Sequence, residues 1–216
     1  MKELKCFRKT RSFLTATAFF AGLVLIYVAT ASAFAQEESS YVFHPNQEVR
    51  VTGLPSLTAP STEASAVLAT ALATILHDKA VCCGKDSALG DTVLAAPLSL
   101  KGLSASLQGR HVLSDGRSVM VSAEYVPQSS ITPDLMISAL LDQHALLIEW
   151  KSHFYVLYAA IFDESVYSSG HRQFVVHKLL LLDPRFSDQR RETEFRRESD
   201  DWAKVQGLLT LTAARQ

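Results

Sequence analysis

Residues 144–182 read HALLIEWKSHFYVLYAAIFDESVYSSGHRQFVVHKLLLL, and the reading of this stretch decides the fold class. Three apolar runs, 144–150, 153–162 and 173–182, are dense in Leu, Ile, Val, Phe and Tyr and have strand length. The breaks between them are polar: Lys151-Ser152, then 163–170 with Asp, Ser and Gly, which is ordinary turn chemistry. Neighbouring runs joined by such short breaks pair as antiparallel hairpins. Trp150, Tyr155, Tyr158 and Phe162 could line a groove for extended peptide, but aromatics in this pattern are expected in the core of a half-buried sheet.

Upstream the period changes from strand to helix. Ser61 or Thr62 can cap a helix in which Ala64, Val67, Leu68, Ala71, Leu72, Ile75 and Leu76 recur at helical spacing, ending near His77. A short helix is expected over 85–95, and another over 99–107, capped by Ser99 and ended by Gly109. Residues 118–126 read as a strand. Thr132-Pro133 is a cap followed by proline at the first helical position, with Leu135, Met136, Ala139 and Leu140 as the apolar face. Downstream, 190–195 and 208–211 read as strands around a short helix at 202–205. Helices first and antiparallel strands second predict an α+β domain, with helices packed on a C-terminal antiparallel sheet. Residues 36–60, with Pro45, Pro55 and Pro60, read as an irregular lead-in, which leaves the domain at 61–216. The charged run over 189–198 mixes both signs and reads as a solvated face.

The first 35 residues are of another kind. Lys2, Lys5, Arg8, Lys9 and Arg11 precede an uncharged run from Phe13 to Ala35, which closes on Ala33-Phe34-Ala35. A basic start, an apolar centre and a small-x-small site are the parts of a secretory signal, so export is expected. The competing reading is an N-terminal membrane anchor, since the apolar run approaches the ~20 residues that span a bilayer. Cleavage after Ala35 removes five of the 21 basic residues and one of the 22 acidic ones, leaving 16 against 21, a net charge of −5. That balance gives no electrostatic reason to bind nucleic acid or an anionic membrane. The remaining 181 residues suffice for one core.

Only Cys82 and Cys83 survive such cleavage, and they are adjacent. A bridge between neighbours closes almost no loop, so one or both are expected as thiols or as a labile redox pair, with Cys82 serving as a small buried hydrophobe. Cys83 precedes Gly84 and an expected helix, where backbone N–H groups and the helix dipole favour thiolate. His153 opens one strand and Asp183 ends the next at Asp183-Pro184. A thiol, an imidazole and a carboxylate meeting in space have the nucleophile, base and orienter of a cysteine hydrolase. The other histidines show no paired metal-ligand spacing, so neither metal nor cofactor is expected.

Cys83-Gly84 before a helix, Ser99-Leu100-Lys101-Gly102-Leu103, His153-Phe154-Tyr155-Val156 and Asp183-Pro184, closing with Phe195, Trp202 and Leu208-Leu209, together resemble the papain-like cysteine peptidases that process bacteriocin leaders. The resemblance covers about residues 75–213 and implies a papain-like fold, a peptide or protein substrate, and Cys83 as nucleophile, His153 as general base and Asp183 as orienting residue. Those peptidases carry a glutamine a few residues before the cysteine, as an oxyanion donor; here the segment from Leu76 to Cys82 has none. Loss of one such donor costs ~10²–10³ in turnover. Two further readings therefore stand beside the exported thiol hydrolase: a non-catalytic binding or structural module on the same fold, and a redox role for the Cys82-Cys83 pair. The sequence leaves the oligomeric state open.

Overall fold

A computed structural model describes residues 40–54, 64–76, 81–82, 89, 99–113, 115–186, 190–193 and 202–215. The signal expected at 1–35, the helix expected at 85–95 apart from Leu89, and most of the charged run lie outside these ranges, as does Cys83. The chain forms two compact units, Met1–Tyr41 with Tyr167–Ser169, and Val42–Val166 with Gly170–Gln216. In the first, the Ser168 N–H donates to the Ser40 carbonyl at 3.0 Å, and the rings of Tyr41 and Tyr167 lie 5.5 Å apart. The second unit carries the helices and the body of the sheet.

In chain order the elements are β1 (Tyr41–Arg50), α1 (Ala64–Leu76), α2 (Leu100–Leu107), β2 (Gly109–Val112), β3 (Ser118–Pro127), α3 (Pro133–Leu141), β4 (Leu146–Trp150), β5 (His153–Tyr167), β6 (Arg172–Leu182), β7 (Arg190–Thr193) and β8 (Val205–Arg215). One eight-stranded sheet has the order β2-β3-β8-β4-β5-β6-β7, with β1 pairing to β5 off that path. The α+β class follows directly. The strands are not confined to the C-terminal half, however: β1 to β3 precede β4, and α3 lies between β3 and β4.

The helix starts follow their caps. The Ser99 side chain accepts from the Gly102 N–H, and the Thr132 side chain accepts from the Leu135 N–H with Pro133 next in line. The Leu100 N–H meets the Glu149 carboxylate of β4, whose burial pushes its pKa up while that hydrogen bond partly offsets the shift. In β4, Leu146, Leu147 and Ile148 are buried in succession. Successive strand residues point to opposite faces, so β4 is covered on both. The last strand, β8, enters between β3 and β4, and its Leu208, Leu209 and Leu211 are core residues. Trp150, Tyr155, Tyr158 and Phe162 are all buried, as expected of sheet aromatics.

The segment read as an irregular lead-in contains β1. Nearly every residue of β1 is exposed, so no apolar alternation marks it, and Pro45 is tolerated because an edge strand can forgo a ladder hydrogen bond. Other bonds hold it. The Val51 N–H donates to the Tyr158 carbonyl at 2.8 Å, and the Asn46 N–H to the Asp163 carboxylate at 2.8 Å. Gln143, just past α3, accepts from the Thr52 N–H and donates to the Arg50 carbonyl. The expected turn over 163–170 is also shorter than read, because β5 runs on to Tyr167 and only the end of the segment turns, on Gly170 at φ 82°.

Gly207 sits under the ring of Tyr125 on the neighbouring strand β3, so a Cβ there would lie 2.4 Å from the ring edge. Gly207→Ala is expected to destabilise by about 1–3 kcal/mol in chemical denaturation. Most of that loss should return when Tyr125→Ala is added, and an additive double mutant would contradict the contact. Hydrogen bonding from the Asn46 N–H, then from His177, holds the Asp163 pKa below its usual value. A depressed folded-state pKa contributes stability above the unfolded value, lost as pH falls through the folded one. Asp163→Asn should flatten this acid limb of the stability profile, measured by thermal melts from pH 5 to pH 2.

Candidate functional site

His153 and Asp183 are placed by the ends of β5 and β6. The β4–β5 hairpin turns on Lys151 and Ser152 alone, both with positive φ (52° and 62°), between the paired residues Trp150 and His153. Two left-handed residues are what a two-residue hairpin of this twist requires, and Asn-Gly usually supplies them; Lys-Ser adopts them at a cost of about 1–2 kcal/mol per residue. Lys151 is secured there by its N–H to the Lys204 carbonyl at 3.1 Å, and its ammonium lies 3.9 Å from the centre of the Trp150 ring. His153 is therefore fixed at the first position of β5, and it is exposed.

Asp183 sits just past the β5–β6 ladder, which closes at Val156↔Leu182, and it is completely buried. Its carboxylate is engaged by Arg185. Nη2 donates to Oδ2 at 2.6 Å, Nε to Oδ1 at 2.9 Å, and the Arg185 N–H also reaches Oδ1 at 3.1 Å. Arg185 Nη2 donates further to the Tyr155 hydroxyl at 3.1 Å. The Tyr155 ring in turn lies 5.4 Å from that of Trp150. Hydrogen bonding to Asp183 raises the Arg185 pKa against the opposing effect of burial, so the guanidinium stays charged. The sheet thus brings Asp183 together with Arg185 and Tyr155, and among the described residues its hydrogen bonds run to Arg185 and not to His153.

Arg185 escaped the reading of the sequence. Its signal is the order Asp183-Pro184-Arg185 directly after an apolar strand. A carboxylate at such a strand end is buried, and the turn forced by proline returns the cation two residues later. Cys82 is buried, as a small apolar residue would be, but it is disulfide-bonded rather than a free thiol, and the partner sulfur lies outside the described residues.

A second locus lies along β6. Pro133 and Met136 of α3, Phe174, Val175 and Val176 of β6, and Trp202 line a cavity of about 230 Å³. Three consecutive strand residues can line one cavity only where the edge of the strand faces it, because their side chains alternate between faces.

Removing one partner of a buried ion pair leaves an uncompensated charge, at a cost of about 3–5 kcal/mol. Arg185→Met should therefore destabilise by that amount in urea denaturation, and Asp183→Asn in the same background should recover much of it.

No protein-family model, no curated protein and no solved structure matches the chain.

Proposed function

We propose that this chain is an exported binding module on a papain-like plan that does not carry out thiol hydrolysis. The observation that carries the reading is the enclosure of Asp183 by Arg185. A carboxylate that braces a general base lends its charge to the imidazole, and here each oxygen already accepts from a guanidinium in a fork geometry, which competes for that charge. The absence of a glutamine ahead of Cys83 and the disulfide at Cys82 support the same conclusion.

One observation favours the thiol hydrolase as a second reading. His153 is exposed at the start of β5, where an imidazole is accessible to a sulfur and to substrate. Thiol chemistry separates the two. In the non-catalytic module, Cys83 of the reduced protein alkylates with iodoacetamide at neutral pH no faster than free cysteine, and His153→Ala leaves the rate unchanged. Cellular function also persists in Cys83→Ser. Alkylation many-fold faster than free cysteine, slowed by His153→Ala, together with loss of function in a folded Cys83→Ser protein, would establish the hydrolase instead. Export is checked separately: intact mass of the extracytoplasmic protein should give an N-terminus at Gln36, and retention of residues 1–35 would make the segment an anchor.

A further inference from the structure

We infer that β1 is exchanged between two copies of this chain, the β1 of each pairing with β5 of the other, so that the partner is a second copy of the protein.

The seat of β1 belongs to other elements. Asp163 of β5 offers Oδ1 to the Asn46 N–H at 2.8 Å, while its Oδ2 lies 2.9 Å from His177 Nε2 of β6, which holds the carboxylate in place. Asp163 is thus the polar latch of the strand. Tyr158 of β5 offers its carbonyl to the Val51 N–H, and Gln143 accepts from the Thr52 N–H and donates to the Arg50 carbonyl. β1 itself contributes little to the core. Val49 is its one buried residue, and Val42 and Phe43 are exposed. A strand held mainly by hydrogen bonds, with one apolar side chain to withdraw, opens more readily than a strand of the core.

The chain allows the strand to move. Cleavage after Ala35 leaves five residues, 36–40, ahead of β1, so the strand can depart without threading. Behind it, residues 55–63 join Leu54 to α1, and nine residues span up to about 30 Å.

Sequence decides the occupant. Asn46 holds a left-handed backbone, φ 50°, a conformation in which asparagine is enriched, and its N–H meets a side-chain carboxylate rather than a ladder carbonyl. Val49 enters the core three residues on, and the Arg50 guanidinium lies over the Tyr158 ring, 5.6 Å from its centre. An unrelated peptide has neither the asparagine at this kink nor the valine at this offset. A second copy supplies both by identity, so the contacts of β1 are remade across the pair and only the link is altered.

The test builds benzoylphenylalanine into the exposed position Phe43 of the mature protein. Equal amounts of isotope-labelled and unlabelled chain are mixed, held at high concentration, separated by size exclusion and irradiated. A concentration-dependent dimer is expected, in which about half of the links from residue 43 to β5 join a labelled to an unlabelled chain, the share given by random pairing of equal populations. In Asp163→Ala the mixed links should form several-fold faster with the dimer fraction unchanged, because monomer and dimer lose the same contact. Absence of a dimer, or a dimer whose links to β5 are all unmixed, overturns the exchange. Links from one β1 to another β1 overturn it in favour of edge-to-edge pairing. An unchanged rate in Asp163→Ala overturns the latch. An unrelated peptide that displaces β1 as well as a peptide of residues 41–54 does overturns the choice of a second copy.

Discussion

A carboxylate with no solvent exposure at the end of a strand must be met by a cation or be protonated, because an isolated buried charge costs several kcal/mol even after relaxation. Asp183 is met by Arg185, two residues on and across a buried proline. That pair fixes more than its own loop. Arg185 reaches the Tyr155 hydroxyl, Tyr155 packs against Trp150, and Trp150 borders the two-residue turn that presents His153. The end of β6, the start of β5 and the β4–β5 turn are therefore one electrostatically anchored corner, with its charge directed inward to structure.

Burial is uneven along the same sheet. β4 and the first half of β8 bury leucine in succession, whereas nearly all residues of β1 and those of β8 from Thr212 to Arg215 are exposed. Burial is thus concentrated where β4, β5 and β8 lie together and falls along β1 and the last residues of β8.

Legibility in the sequence followed burial. β3 to β6, α2 and α3 were readable because apolar runs, Ser99 and Thr132-Pro133 speak locally, and the hairpin order placed His153 and Asp183 at the strand ends where they stand. β1 was not readable, since an exposed edge strand carries no hydrophobic period and Pro45 reads as a breaker. The four residues of β2 are too few to show alternation. In the candidate site, the identity of Asp183 was visible but its partner was not. Motif order pointed to an imidazole, and the guanidinium that Asp183 meets is brought back by a turn, a contact set by backbone geometry and desolvation rather than by spacing. The cavity beside β6 joins residues from 131 to 202 and has no local signature at all.

The question at the centre is which side chain the buried carboxylate serves, and a pair of double-mutant cycles on folding stability answers it most directly. A coupling of several kcal/mol is expected between Asp183→Asn and Arg185→Met. Between Asp183→Asn and His153→Ala, additivity within about 0.5 kcal/mol is expected. A strong coupling of Asp183 to His153 with little to Arg185 would contradict this pairing and return the carboxylate to the imidazole.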